Sequence, residues 1–185
     1  MTRSIASLVT GLLLLAACSG SELTVEEYAS ALEERATAYA DEVDQLVEQN
    51  AADLNSAVNR LQNDLQGEAL LMAAVGETAT LSSMLFAGIG DAVDRYEQAL
   101  DALGAPAPVA ADHRSYLEAL EASRRGVAPL LAALADVTTF EQIDQAIASS
   151  GFSDAQPRVE TACATLEAAI ESAGTPVSLR CEVHE

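Results

Sequence analysis

Apolar or small residues recur at three- and four-residue steps from Tyr28 through Leu32, Ala36, Tyr39, Val43, Leu46, Leu54, Val58 and Leu61 to Leu65. Asn50 is the one polar member, and Glu, Asp, Gln and Asn fill most of the intervals. This is the period of a helix with one buried face, and it predicts a long amphipathic helix over residues 25–65. Thr24-Val25-Glu26-Glu27 supplies its start. The threonine can accept from an early backbone N–H while Glu27 reaches back to the cap.

The pattern then turns apolar. Residues 67–90, "GEALLMAAVGETATLSSMLFAGIG", contain Glu68 and Glu77, and neither apolar piece reaches the roughly 20 residues of a membrane span. A buried central helix is expected, with Gly76, Gly88 and Gly90 allowing either close helix approach or a break. "DAVDRYEQALDALG" restores the amphipathic period and ends at Gly104 and Pro106. After a turn in "APAPVAAD", residues 113–136 are helical in period, although Gly126 and Pro129 should kink or split them. Thr139-Phe140-Glu141-Gln142 reads as a second capping box, opening a short helix to about Ser149. Ser153 is placed to cap a last helix with Pro157 in or near its first turn, and Gly174 and Pro176 stop it. The tail "VSLRCEVHE" alternates and should be extended. The sum is an all-α bundle of four to six helices in one domain, residues 24–185, with no internal repeat.

The start of the chain has a different logic. "MTRS" carries one cation, Arg3, and "IASLVTGLLLLAA" is an uncharged run that ends at Cys18. That is the layout of a signal peptide and too short for a spanning helix. A chance apolar run or an uncleaved N-terminal anchor would share the hydropathy. Leu15-Ala16-Ala17-Cys18 resembles the lipobox of bacterial lipoproteins. The resemblance implies that residues 1–17 are a signal peptide cut between Ala17 and Cys18. It also implies a diacylglyceryl group on the Cys18 thiol, acylation such as palmitate, and residues 18–23 as a short tether. Two or three acyl chains at about 0.8 kcal/mol per buried CH₂ would hold the protein on a bacterial membrane, facing the extracytoplasmic side. The C-terminal arrangement, a cysteine in the final helix followed by Gly-x-Pro and "VSLRC", is similar to that of small helical lipoproteins of high-GC bacteria, a likeness that implies no activity.

Charge narrows the partners. Beyond Cys18 there are 29 acidic residues, eight arginines and no lysine, a formal charge of −21. Nucleic acid is excluded as an expected partner, since phosphate neutralisation needs a basic patch. The same charge argues against the domain lying flat on anionic lipid. Alanine supplies 37 of the 185 residues and aromatics only 4%, which favours thin, closely packed helices over sheet.

With Cys18 acylated, Cys163 and Cys181 remain, and a pair outside the cytoplasm is expected to form a disulfide. The helix advances about 15 Å from Cys163 to Ala173. Six extended steps from Thr175 can return about 20 Å, bringing Cys181 level with Cys163.

Other candidate chemistry is sparse. His113 sits at a helix start, where a solvated polar residue is expected, and His184 lies one residue from the end. Cys181-Glu182-Val183-His184 has ligand-like spacing without a second half, so no metal and no cofactor is expected. Glu68 and Glu77 fall about 180° apart on a helix and form no acid/base pair. Gly88-Ile89-Gly90 lacks the third glycine and preceding strand of a dinucleotide loop. Arg124-Arg125 should pair with Glu118 or Glu121. No catalytic residues are assigned. The expectation is a non-enzymatic binding or interaction module of the cell envelope, with a protein partner or self-association through residues 28–65 as further possibilities. The rivals are a coiled-coil-like spacer and, with less support, an envelope hydrolase or metal-dependent enzyme. A closed apolar pocket among the central helices would favour ligand binding.

Overall fold

The computed structural model describes residues 23–181. The signal segment, Ala17, Cys18 and His184 therefore lie outside the described residues. Within them the chain is all-α, with five helices: α1 Val25–Asp64, α2 Gly67–Asp101, α3 Ala110–Ala135, α4 Phe140–Ala148 and α5 Gly151–Ser172.

The helix ends follow from local chemistry. Thr24 Oγ1 accepts from Glu27 N at 3.2 Å and Glu27 Oε2 accepts from Thr24 N at 3.0 Å, completing the expected capping box. The backbone N–H of Thr24 holds the Glu27 carboxyl below its ordinary pKa. At α4 only half of the second box forms. Thr139 Oγ1 accepts from Gln142 N, but the Gln142 side chain reaches Thr138 N instead of the cap. The last helix begins earlier than Ser153, because Ser150 Oγ accepts from Ser153 N at 3.1 Å and makes Ser150 the cap. Pro157 consequently lies inside the helix.

α1 and α2 run antiparallel through a tight turn, with Leu46 against Gly88 and Arg60 bonded to Glu77 at 2.8 Å. α2 packs on α3, α3 on α5, and α4 bridges the α3–α5 connection. α3 is one continuous helix despite Gly126 and Pro129, so the expected split does not occur. Val127, Leu130 and Leu134, buried on either side of the proline, anchor the helix where its N–H is missing. Gly126 serves close packing. A side chain there would strike the backbone at Phe152, where α5 begins across α3.

α2 also departs from expectation. It is one helix, long and apolar enough by length and composition to cross a membrane, and only 17% of its most apolar 18-residue window is buried. Its second half is central, with Ala92, Val93 and Leu100 almost wholly buried. Its first half is not. Between Gly67 and Thr80 only Val75 and Ala79 are buried, and between Val47 and Asp64 of α1 only Ala57 is. These two stretches form an arm of paired helices about 25 Å long beyond the bundle, and Val58, Leu71 and Met72 are exposed on it.

Gly174, at φ +96°, stops α5 in the left-handed conformation. The tail then turns back along α5. Leu179 N donates to Glu167 Oε2 at 2.8 Å, and Cys163 and Cys181 are joined as a disulfide with their Cα atoms 5.5 Å apart.

Candidate apolar cavity between α1 and α5

The chain of helix contacts α1–α2–α3–α5 leaves its two outer members facing each other across a cleft. The cleft holds a cavity of about 430 Å³. Alanine makes the space, because Ala36 and Ala40 on α1 present little volume toward Val159 of α5. Aromatic rings act as the spacers. Tyr39 stacks on Tyr96 at 4.6 Å between centroids, Tyr96 meets Tyr116 edge-on at 6.2 Å, and Phe86 meets Phe152 edge-on at 5.5 Å. Three of the four tyrosines line the cavity, together with Val43, Val47, Ile89, Phe152 and the disulfide.

The interior is uncharged. Tyr116 Oη donates to Tyr96 Oη at 3.4 Å, and Gln156 Nε2 donates to Ser123 Oγ at 3.4 Å. Tyr39 Oη has no hydrogen-bond partner among the described residues. Burial pushes the Tyr39 and Tyr116 phenols up to about 12 and Tyr96 well above its ordinary value, so all three are neutral over the physiological range.

Charge collects at the mouth. Arg180, held in the tail beside Cys181, reaches across to α1 and bonds Asp41 Oδ1 at 2.9 Å and Asp44 Oδ2 at 3.3 Å. Arg180 has φ +51°, a left-handed conformation uncommon outside glycine. The disulfide on one side and two aspartates on the other hold it there. The tail is thus a strap from α5 to α1 over the open side of the bundle.

Other sequence candidates have structural roles. His113 is not solvated: it is only 6% exposed, and a 2.7 Å hydrogen bond joins its Nδ1 to Tyr28 Oη. Burial lowers its pKa, with Asp101 opposing. α3 starts with His113 against Tyr28 of α1, so its first turn is interior rather than solvated. Arg125 pairs with Glu121 at 3.6 Å as expected, while Arg124 crosses to Glu97 and Asp94 on α2. Glu77 is taken by Arg60, and no cluster of three or more metal-ligating side chains exists among the described residues.

Tyr39 is legible from the helical period of α1, whereas no local pattern marks Tyr96, Tyr116 or Arg180. The available signal was composition. Four tyrosines in an alanine-rich, tryptophan-free chain are conspicuous, and three converge here. No protein-family model, curated protein or solved structure matches this chain.

Proposed function

We propose that this chain is a lipid-anchored extracytoplasmic protein of the bacterial envelope, working as a non-enzymatic module that binds an apolar small molecule in the α1/α5 cavity. The supporting observation is the cavity itself: largely apolar, within the range of about 300–1,000 Å³ usual for small-molecule sites, and strapped at its mouth by Arg180, whose backbone is held in the left-handed region. The anchor rests on Leu15-Ala16-Ala17-Cys18. Cys18→Ala should abolish palmitate labelling and detergent partitioning; a variant that partitions like the wild type defeats the anchor. An uncharged naphthylamine dye should bind the purified domain saturably at one site and fail to bind Ala40→Phe, which fills the cavity. No binding, or equal binding by that variant, defeats the cavity reading.

A second reading, self-association as a spacer, draws on the exposed Val58, Leu71 and Met72 of the arm. Within residues 28–65, Tyr28, Ala29, Leu32 and Ala36 are buried in the bundle, so pairing would use the arm. Concentration-dependent dimerisation in sedimentation, lost when Val58 and Leu71 become serine, would support it.

A further inference from the structure

The charge layout of the cavity restricts what can occupy it, on the premise that it is a binding site. A ligand carrying a buried charge would find no counterion inside, where the polar groups are neutral phenols and an amide already donating to Ser123. An isolated charge in such a place shifts its pKa or stays out. At the mouth an anion would compete with Asp41 and Asp44 for Arg180, in the field of a chain with formal charge −20. A cation fares little better. The two aspartates already hold Arg180, and its tether through Cys181 to α5 gives it an effective concentration that a free cation must exceed. Both signs are therefore disfavoured, while the aliphatic walls and the unpartnered Tyr39 hydroxyl remain. We propose that the cavity takes an uncharged, largely hydrocarbon molecule with one hydroxyl or carbonyl group, seated with that group on Tyr39 beneath the Arg180 strap. A neutral lipid drawn from the membrane and a free apolar metabolite share this chemistry.

Three probes with the same ten-carbon chain separate the charge states: 1-decanol, decanoate and decylammonium, titrated at neutral pH into the disulfide-intact domain. With no tryptophan and three of four tyrosines at the cavity, tyrosine emission is the direct readout. The expected result is one-site binding of decanol, with both charged homologues weaker by roughly tenfold or more. Tyr39→Phe should weaken decanol by about fivefold, the loss of one neutral hydrogen bond. Offering decanol free in solution and then dissolved in phosphatidylcholine vesicles distinguishes the two sources, since loading from vesicles alone marks a membrane-derived ligand and loading from solution a free one. Equal or tighter binding of either charged homologue overturns the ligand class while the dye result keeps the cavity as a site. Decanol binding unchanged in Tyr39→Phe overturns the seating. Failure of both decanol and the dye removes the premise itself.

Discussion

The strapped end of the bundle and the two-helix arm share an alanine-rich, lysine-free composition but owe their order to different interactions. In the bundle, Leu120, Leu130, Leu166 and Ile170 are almost completely buried, three aromatic contacts set the helix spacing, and a covalent bond fixes the tail. In the arm the buried positions are Ala57, Val75 and Ala79, and the Arg60–Glu77 pair is solvent-exposed. A surface pair of this kind is worth about 0–1 kcal/mol. Small residues let two helices approach without giving them much to bury. Where a third helix is present the same small residues instead leave a cavity, because the rings hold the helices apart. The difference teaches that alanine sets helix distance only when no larger side chain intervenes.

The largest test of this contrast is a pair of leucine truncations. Leu166 is wholly buried and Leu71 is 54% exposed. Leu166→Ala should cost about 2–5 kcal/mol, and Leu71→Ala about 0.5 kcal/mol or less. Urea unfolding followed by circular dichroism measures both. Similar losses would mean that the arm is covered in solution and the contrast false.

Next comes the disulfide. Closing a loop with a sequence separation of 18 restricts the unfolded chain by roughly 3 kcal/mol. Cys163→Ser with Cys181→Ser should lower stability by about that amount. Amide exchange should rise first at residues 177–181 and leave 50–80 unchanged, since Arg180 of the strap bonds α1 at Asp41 and Asp44, short of the arm. Faster exchange throughout the arm would show that arm and bundle open as one unit.

How far these regions could be read in advance follows from the range of the interactions. Thr24, Glu27, Gly174 and the stop at Pro176 act within a few residues, and their consequences were legible. The Cys163–Cys181 pair was legible because chain length alone decides whether the tail can return. The cap at Ser150 was missed because Ser150 and Ser153 are equally good cap residues, and the choice rests on where α3 lets α5 begin at Gly126. Hydropathy predicts burial for the first half of α2 because it reports what a helix could bury, whereas burial needs a neighbour. Only α1 accompanies it there. The cavity lay beyond reach for the same reason: Arg180 meets Asp41 across 139 residues, and no local pattern encodes that contact.

A pH effect sharpens the comparison from the bundle side. His113 faces Tyr28 and Asp101, and burial lowers its folded pKa below the ordinary 6.5. Above that value the ring is neutral in both states and contributes no pH dependence. As pH falls through about 6.5 the unfolded chain takes up the proton first, so stability falls with acidification. The wild type should therefore lose stability between about pH 6.5 and 5, before most carboxylates titrate, and His113→Gln should lose less over the same interval. Equal slopes would mean that the Tyr28–His113 contact leaves the ring as basic when folded as when unfolded. Arm amides should show no such dependence.

The smallest expected effect is a gain, and it belongs to the arm. Gly76 sits in the exposed half of α2, outside the left-handed region, and a Cβ added there meets nothing within 4 Å. Glycine inside a helix costs about 0.5–1 kcal/mol relative to alanine through the extra freedom it loses on folding. Gly76→Ala should recover about that much. Gly126 carries the opposite sign, since its Cβ would collide with the backbone at Phe152. The gain at Gly76 should appear as slower amide exchange across residues 67–80 and the facing part of α1. The global urea midpoint should move less, because the arm can open while the bundle stays folded. A full shift of the global midpoint with no local change would place the arm in the same cooperative unit as the bundle, and the two regions would then differ in packing but not in stability.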